Sequence, residues 1–256
     1  MQPKASIITP LFNSAAFIEQ TIKSVLAQTF KDWEMLIIDD ASTDAGYDKV
    51  LAFAKNEPRI KPYRLEKNSG AGAARNLGIK NAKAKYITFL DADDLWKPEK
   101  LETQIRFMEN SGAKISFSSY HLIDENGTSL HQNIEALPEV DFKKMLRSNY
   151  IGNLTAMYDA QFFGEVFMPT LRKRQDWAFW LTLVKKAGIA QGIPEVLADY
   201  RVRKNSISSN KVKMLKYNFA VYHQHLGFSK TKSALLMSRF LYEHFFVKPR
   251  QTIATK

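Results

Sequence analysis

"ASIITPLFNSAAFIEQTIKSVLAQTFKDWEMLIIDD", Ala5 to Asp40, carries the pattern on which the fold depends. It begins with a short β-rich run, Ala5–Pro10, stopped by proline. Phe17, Ile18, Ile22, Val25 and Leu26 then recur at helical spacing, and Asn13 or Ser14 is placed to cap that helix. "WEMLIIDD" reads as a second buried strand, and it ends in two acids, Asp39 and Asp40. Strand, helix and strand at this spacing predict a parallel sheet with helices on its faces.

The pattern continues outward from that stretch. "ASTDAGYDKVLAFAKN" reads as a cap and a second helix, and "RIKPYRL" as a third strand whose proline marks a sheet edge. After the polar "EKNSGAG" come a helix over 73–82 and a strand over 86–90. Pro98 opens a further helix. In the second half "KISFSSYHLI" and "DENGT" predict a strand and a hairpin turn. "DFKKMLRSN", "DAQFFGEVF" and "DWAFWLTLVKKAG" read as helices, with "TAMY" and "EVLADYRV" as short strands. From Ser206 onward the pattern is basic and helical, without strand signals. The organisation expected is an α/β domain over 1–205 and a basic helical tail over 206–256.

Composition narrows the classes. The chain has 256 residues and no cysteine, so disulfides and thiolate metal sites are excluded. It has no apolar run of 18 residues and no leader-like start, which points to a cytoplasmic protein. The net charge of +11 is uneven. Residues 201–256 hold twelve basic residues and one acid, Glu243, whereas residues 1–200 hold 25 of each sign. The excess describes one surface and not a nucleic-acid-binding domain, so no nucleic-acid partner is expected.

"YITFLDADDLWKP", Tyr86 to Pro98, places Asp91, Asp93 and Asp94 at the end of a buried strand. Ligands of open parallel sheets sit beyond the carboxyl ends of the strands. The strands over 33–38 and 86–90 both end in acids, so these acids should face one crevice. Crowded carboxylates repel unless a cation relieves them, and this cluster suits a hard ion such as Mg²⁺ or Mn²⁺. The competing reading makes Asp93 and Asp94 solvated caps of the following helix.

"SIITPLFNSAAFIEQTIKSVLAQTFKDWEMLIIDDASTD", "NSGAGAARNLGI" and "YITFLDADDLW", in this order, resemble the family 2 glycosyltransferases over about residues 5–205. The resemblance implies the GT-A fold and inverting transfer from a nucleotide-sugar. It implies that Thr9, Pro10 and Asn13 approach the nucleotide, and that Asp40, with Asp39 beside it, accepts from the uracil imide. Asn68, Gly70 and Arg75 would border the base and diphosphate, although Arg75 also reads as a solvated helix residue. In the Asp91-Ala92-Asp93 motif, Asp93 would bind the metal and Asp91 the ribose or the metal's water shell. The family's Glu-Asp pair corresponds to Gln175-Asp176 here, which makes Asp176 the catalytic base and leaves the glutamate's acceptor contact unfilled. Asp176 equally suits the N-cap of a helix starting at Trp177. "YRVRKNSIS" resembles a segment that closes over the diphosphate, with Arg201, Arg203 and Lys204 neutralising it; a basic surface turn is the alternative. Trp177 and Trp180 fit either an acceptor pocket or the core.

The activity implied is transfer from a UDP-sugar to a glycan or lipid-linked saccharide in bacterial cell-surface polysaccharide synthesis. Rival readings are a nucleotidyltransferase, for which "TPLFNS" lacks the glycine-and-basic loop, and a non-catalytic nucleotide- or carbohydrate-binding module. "GAGAAR" lacks the third glycine of a dinucleotide fingerprint. In the tail, Leu236, Met237, Phe240, Leu241 and Phe245 are near helical spacing and flanked by cations. That pattern suits peripheral contact with an anionic membrane, at the cytoplasmic face of the inner membrane, or packing on the domain.

Overall fold

Strands and helices alternate strictly through the first ninety residues of the computed structural model, which describes residues 2–203 and 211–255. They are β1 (Ala5–Leu11), α1 (Ile18–Leu26), β2 (Trp33–Asp39), α2 (Gly46–Asn56), β3 (Ile60–Arg64), α3 (Ala71–Asn81) and β4 (Tyr86–Phe89). Then follow β5 (Leu95–Trp96), α4 (Lys100–Ser111), β6 (Ile115–Ile123), β7 (Ser129–Ile134), β8 (Glu139–Asp141), α5 (Phe142–Met145), β9 (Met157–Asp159) and α6 (Ala160–Phe163). The chain continues through α7 (Gln175–Ala187), β10 (Ile189–Arg201), α8 (Lys211–Ala220), α9 (Lys230–Tyr242) and β11 (Thr252–Ala254).

The sheet runs β11-β7-β6-β9-β4-β1-β2-β3, with β10 beside β6, β5 and β8. Strands β3, β2, β1 and β4 are mutually parallel, as the alternation requires, and the proline-bearing β3 lies at the end of the path. β9 then reverses direction against both β4 and β6. The sheet is therefore mixed, with helices on both faces. β2 and β4, the two acid-ended strands, are not neighbours: β1 separates them, with seven paired residues on one side and four on the other. The chain winds outward from β1 through β2 to β3 and then crosses back to β4. That crossing makes a topological switch point between β1 and β4, and ligands of open α/β sheets bind outside the carboxyl ends of strands at such a point.

Period-two alternation divides the core between the two faces. Ile7, Met35 and Ile37 pack with Ile22, Val25, Leu101 and Ile105 on one side. Ile8, Leu36, Ile38 and Phe89 pack under α3 and α7 on the other. There Phe89, Tyr158, Phe179 and Trp180 meet edge to face at 5.2–6.2 Å for the steeply tilted pairs. Trp177 and Trp180 are wholly buried, so both belong to the core and not to an acceptor pocket.

The tail packs on this second face. Val221, Tyr222, Leu236 and Phe240 enter the same core, with Trp177 lying 5.5 Å from Tyr222 and 5.4 Å from Phe240 between ring centres. The tail also adds a strand that its composition does not signal: β11 pairs antiparallel with β7. α5 and α6 are one turn each, shorter than expected, and Gly164 at φ 70° ends α6. Among the described residues no helix is long and apolar enough to cross a membrane.

Candidate active site

The loop after β4 holds the acid cluster, and the structure separates its members. Asp91 and Asp93 keep partly exposed carboxylates, at 35% and 24%, whereas Asp94 is buried. Asp94 Oδ1 accepts from the Arg201 amide at 2.9 Å. Burial, with Asp93 and Asp91 close by, pushes the Asp94 carboxyl well above the usual carboxylate range. Neither Asp93 nor Asp94 is a solvated cap. Thr21 on α1 donates to the carbonyls of Ala92 and Asp94, which fixes the turn from below.

Cations face the two open acids. Arg75 on α3 pairs with Asp91, and Arg203 pairs with Asp93 at 2.9 Å. Arg75 is buried, so it is not a solvated helix residue. Burial raises the Asp93 pKa, Asp91 adds to the rise, and the Arg203 hydrogen bond opposes it. Arg201 departs from its expected role. Its guanidinium is buried, with bonds to the carbonyls of Asp93, Asp124 and Glu125 and to Gln20 Oε1. It locks the acid loop to α1 and the hairpin and is not free to meet a diphosphate. Lys204 and the rest of that basic segment lie outside the described residues.

The ends of β1 and β2 form the adjoining wall. Asp40 accepts from the amides of Ser69 at 2.6 Å and Gly70 at 2.8 Å, which ties β2 to the start of α3. Asn68 donates to the Asp40 carbonyl, and Gly70 sits at φ 88°, where glycine is favoured. Asp39 is fully buried, pairs with Arg64 at 3.1 Å and accepts from the Ser42 amide, so its carboxylate is turned into its own loop. Asn13 does not cap α1. Its Oδ1 accepts from the Thr43 amide at 2.9 Å, stitching the β1 end to the β2 loop. Thr9 is buried with its hydroxyl unpartnered, and Pro10 is half-buried at the strand end.

Asp176 lies in the first turn of α7, with Arg174 at the N-cap, so it is not itself the cap. Its Oδ2 accepts from Asn149 Nδ2 at 3.1 Å. A short run of contacts connects it to the acid loop. A Cβ on Gly72 would stand 3.2 Å from Gln175 Cγ, so the first turns of α3 and α7 touch. Arg75, one turn along α3, reaches Asp91. Three non-glycine residues with positive φ, Asn13, Ala41 and Arg174, border these loops, and such backbone strain collects at functional sites. Nothing in the sequence singles out Thr21, Gln20 and Asn149, because each acts through partners 27 to 181 residues away.

Asp91 and Asp93 suit a hard divalent cation in chemistry: both are oxygen donors, both are reachable, and nothing soft is near. Among the described residues no group of three or more potential metal ligands stands together. Two carboxylates suffice for an ion that completes its shell with diphosphate oxygens and water.

A glycosyl transferase family 2 model matches residues 6–173. This chain belongs to that family. It is 44% identical over 223 residues to the putative teichuronic acid biosynthesis glycosyltransferase TuaG of Bacillus subtilis, covering 87% of this chain and 88% of TuaG. It is 36% identical over 217 residues, 84% of each chain, to WfgD of Escherichia coli, a UDP-Glc:alpha-D-GlcNAc-diphosphoundecaprenol beta-1,3-glucosyltransferase. Among solved structures, S. aureus TarS with UDP-GlcNAc superposes at a TM-score of 0.72 and 21% identity, over 96% of this chain and 74% of that one. The mannosyltransferase PcManGT of Pyrobaculum calidifontis, with GDP-Man and Mn2+, superposes at 0.66 and 17%, over 98% and 72%. These likenesses bear out the α/β GT-A architecture.

Proposed function

We propose that this glycosyltransferase moves a hexose from a UDP-sugar to a hydroxyl of a lipid-linked saccharide, with inversion, in bacterial cell-surface polysaccharide synthesis. The observation that carries the proposal is the contact run from Gln175 through Gly72 and Arg75 to Asp91, which links Asp176 to the acid loop. WfgD, whose name gives a UDP-glucose donor and a diphosphoundecaprenol acceptor, supports the substrate classes. A cytoplasmic location, at the membrane face where such an acceptor would be anchored, is part of this proposal.

In this reading Asp176 takes the proton of the acceptor hydroxyl as that oxygen attacks the anomeric carbon. Asp93, with Asp91, would hold Mg²⁺ or Mn²⁺, which supplies fixed positive charge where the departing diphosphate develops negative charge. Arg75 and Arg203 pair with these acids and would stand next to the same leaving group. The β1 and β2 ends, with Thr9, Pro10, Asn13, Asp40, Asn68 and Gly70, would border the nucleoside, and Asp39 holds the β2 loop in shape from beneath.

The tail supports membrane contact through a different face from the one its sequence suggests. Leu236 and Phe240 are buried, whereas Leu235, Tyr242, Phe245 and Phe246 are 56–62% exposed beside Lys232, Arg239 and Arg250. Glu243, the tail's single acid, is turned inward onto Lys144. The exposed set combines aromatic rings with cations, as an anionic bilayer requires.

Two assays test this. A panel of UDP- and GDP-sugars is screened for nucleotide release with Mg²⁺, Mn²⁺ or EDTA. UDP-sugar turnover that EDTA removes, and that falls by about 10²–10⁴ in D176N, is expected. GDP-mannose turnover with inert UDP-sugars would overturn the donor assignment. In sedimentation with anionic vesicles, Y242S/F245S/F246S should lose binding while remaining folded; undiminished binding would defeat the membrane reading.

A further inference from the structure

We propose that Lys248, in the C-terminal segment, is a positioning residue for the transfer: it fixes Asn149, and Asn149 fixes the carboxylate of Asp176. The proposal rests on reading Asp176 as the base. Asn149 Nδ2 is 3.1 Å from Asp176 Oδ2. A side-chain amide on a loop is placed only as well as its backbone, and the Asn149 carbonyl accepts from Lys248 Nζ. The next residue is gripped from the same segment. Tyr150 donates to Glu243 Oε1 at 2.6 Å, and Lys144 donates to that oxygen at 2.6 Å. The tail thus holds two successive residues of the loop beside Asp176, across 93 and 99 residues of sequence.

An ammonium is a costly group to place there. Burial lowers the Lys248 pKa to about 8, Arg174 adds repulsion and Asp176 opposes it. The groups facing Lys248 are Arg174 and Asp176 from the α7 side and the Tyr150 ring at 5.7 Å, with Glu243, Lys144 and Arg147 beyond that ring. Lys248 is half-buried, and a charge drawn partly out of water is penalised unless something uses it. The use that the contacts describe is a chain from tail to loop to base. Such rigid support matters because a base misplaced by about 1 Å loses on the order of 10²-fold in rate.

The test uses full-length K248M, K248R, N149A, N149A/K248M and D176N. The probes are UDP-glucose and UDP-GlcNAc with a synthetic GlcNAc-diphosphate-lipid acceptor. K248M should lower kcat by about tenfold or more with the donor KM unchanged, as expected for loss of positioning. K248R should recover most of that loss, because arginine still donates to the Asn149 carbonyl. N149A should match K248M, and the double variant should be no worse than either, as for residues acting in one chain. Full activity in K248M, or losses that multiply in the double variant, would overturn the proposal while a dead D176N left the base assignment standing. An active D176N would remove the base and this chain with it. A second readout needs no turnover. Slow hydrogen exchange of the Asn149 side-chain amide, followed by ¹⁵N NMR, should be present in wild type and lost in K248M. Equal exchange in the two would overturn the proposal.

Discussion

Lys100 has its whole side chain buried at the start of α4, with its ammonium 2.8 Å from Thr88 Oγ1 and 3.8 Å from the centre of the Trp96 ring. Burial pushes its pKa well below the ordinary 10.5. The folded protein therefore releases a proton that the unfolded chain retains. Stability from this site rises with pH between the folded pKa and the ordinary value, and is lower at neutrality. Replacing Lys100 by methionine should raise the melting temperature near pH 7 and flatten the gain in stability on approach to about pH 10.5. A K100M melting curve with the wild-type pH dependence would contradict this. Residues differ in how openly the sequence declared them. Asp91 and Asp93 stood out because carboxylates are improbable directly after a buried strand. Asp94 looked equivalent and is not: only the three-dimensional position of Arg201 distinguishes it. Arg201 shows the same limit in reverse, since a basic residue after a strand suggested a phosphate ligand whereas its bonds go to carbonyls of the chain.

Helix α3 shows how an element is held where the site needs it. A Cβ on Gly78 would lie 2.4 Å from Ile8 Cγ2, so the absence of a side chain lets the helix press onto β1. That approach brings Arg75 to Asp91 and Gly72 to Gln175. Substituting Gly78→Ala should cost about 1–3 kcal/mol through overpacking, read in a urea melt, and should weaken UDP binding by displacing Arg75. Unchanged stability would mean that α3 has slack at this contact. The βαβ elements of the first half were legible because helical spacing and apolar runs alternate cleanly. β8 and β11 were not, because strands of three residues carry no period and owe their form to the partner beside them.

At the scale of the molecule, the proposed division at residue 205 marks a change in charge and not a break in packing. Val221, Tyr222, Leu236 and Phe240 complete the core around Trp177, and the segment beyond them reaches the loop beside Asp176. A single cooperative unfolding transition is expected for the full chain, and truncation after Asn205 should leave an aggregation-prone product. Two separate calorimetric transitions would show that the tail folds on its own. The charge split in the sequence revealed the tail but not which face it presents, since its apolar residues encircle the helix and only packing decides which of them are covered. In the proposed enzyme, acids from the loop after β4 and from α7 serve one crevice. This convergence is tested most directly by the anomalous scattering of manganese in crystals grown with UDP. One peak is expected between the Asp93 carboxylate and the diphosphate, with Asp176 facing the same opening. A peak held by other residues, or Asp176 on the opposite side of the molecule, would contradict it.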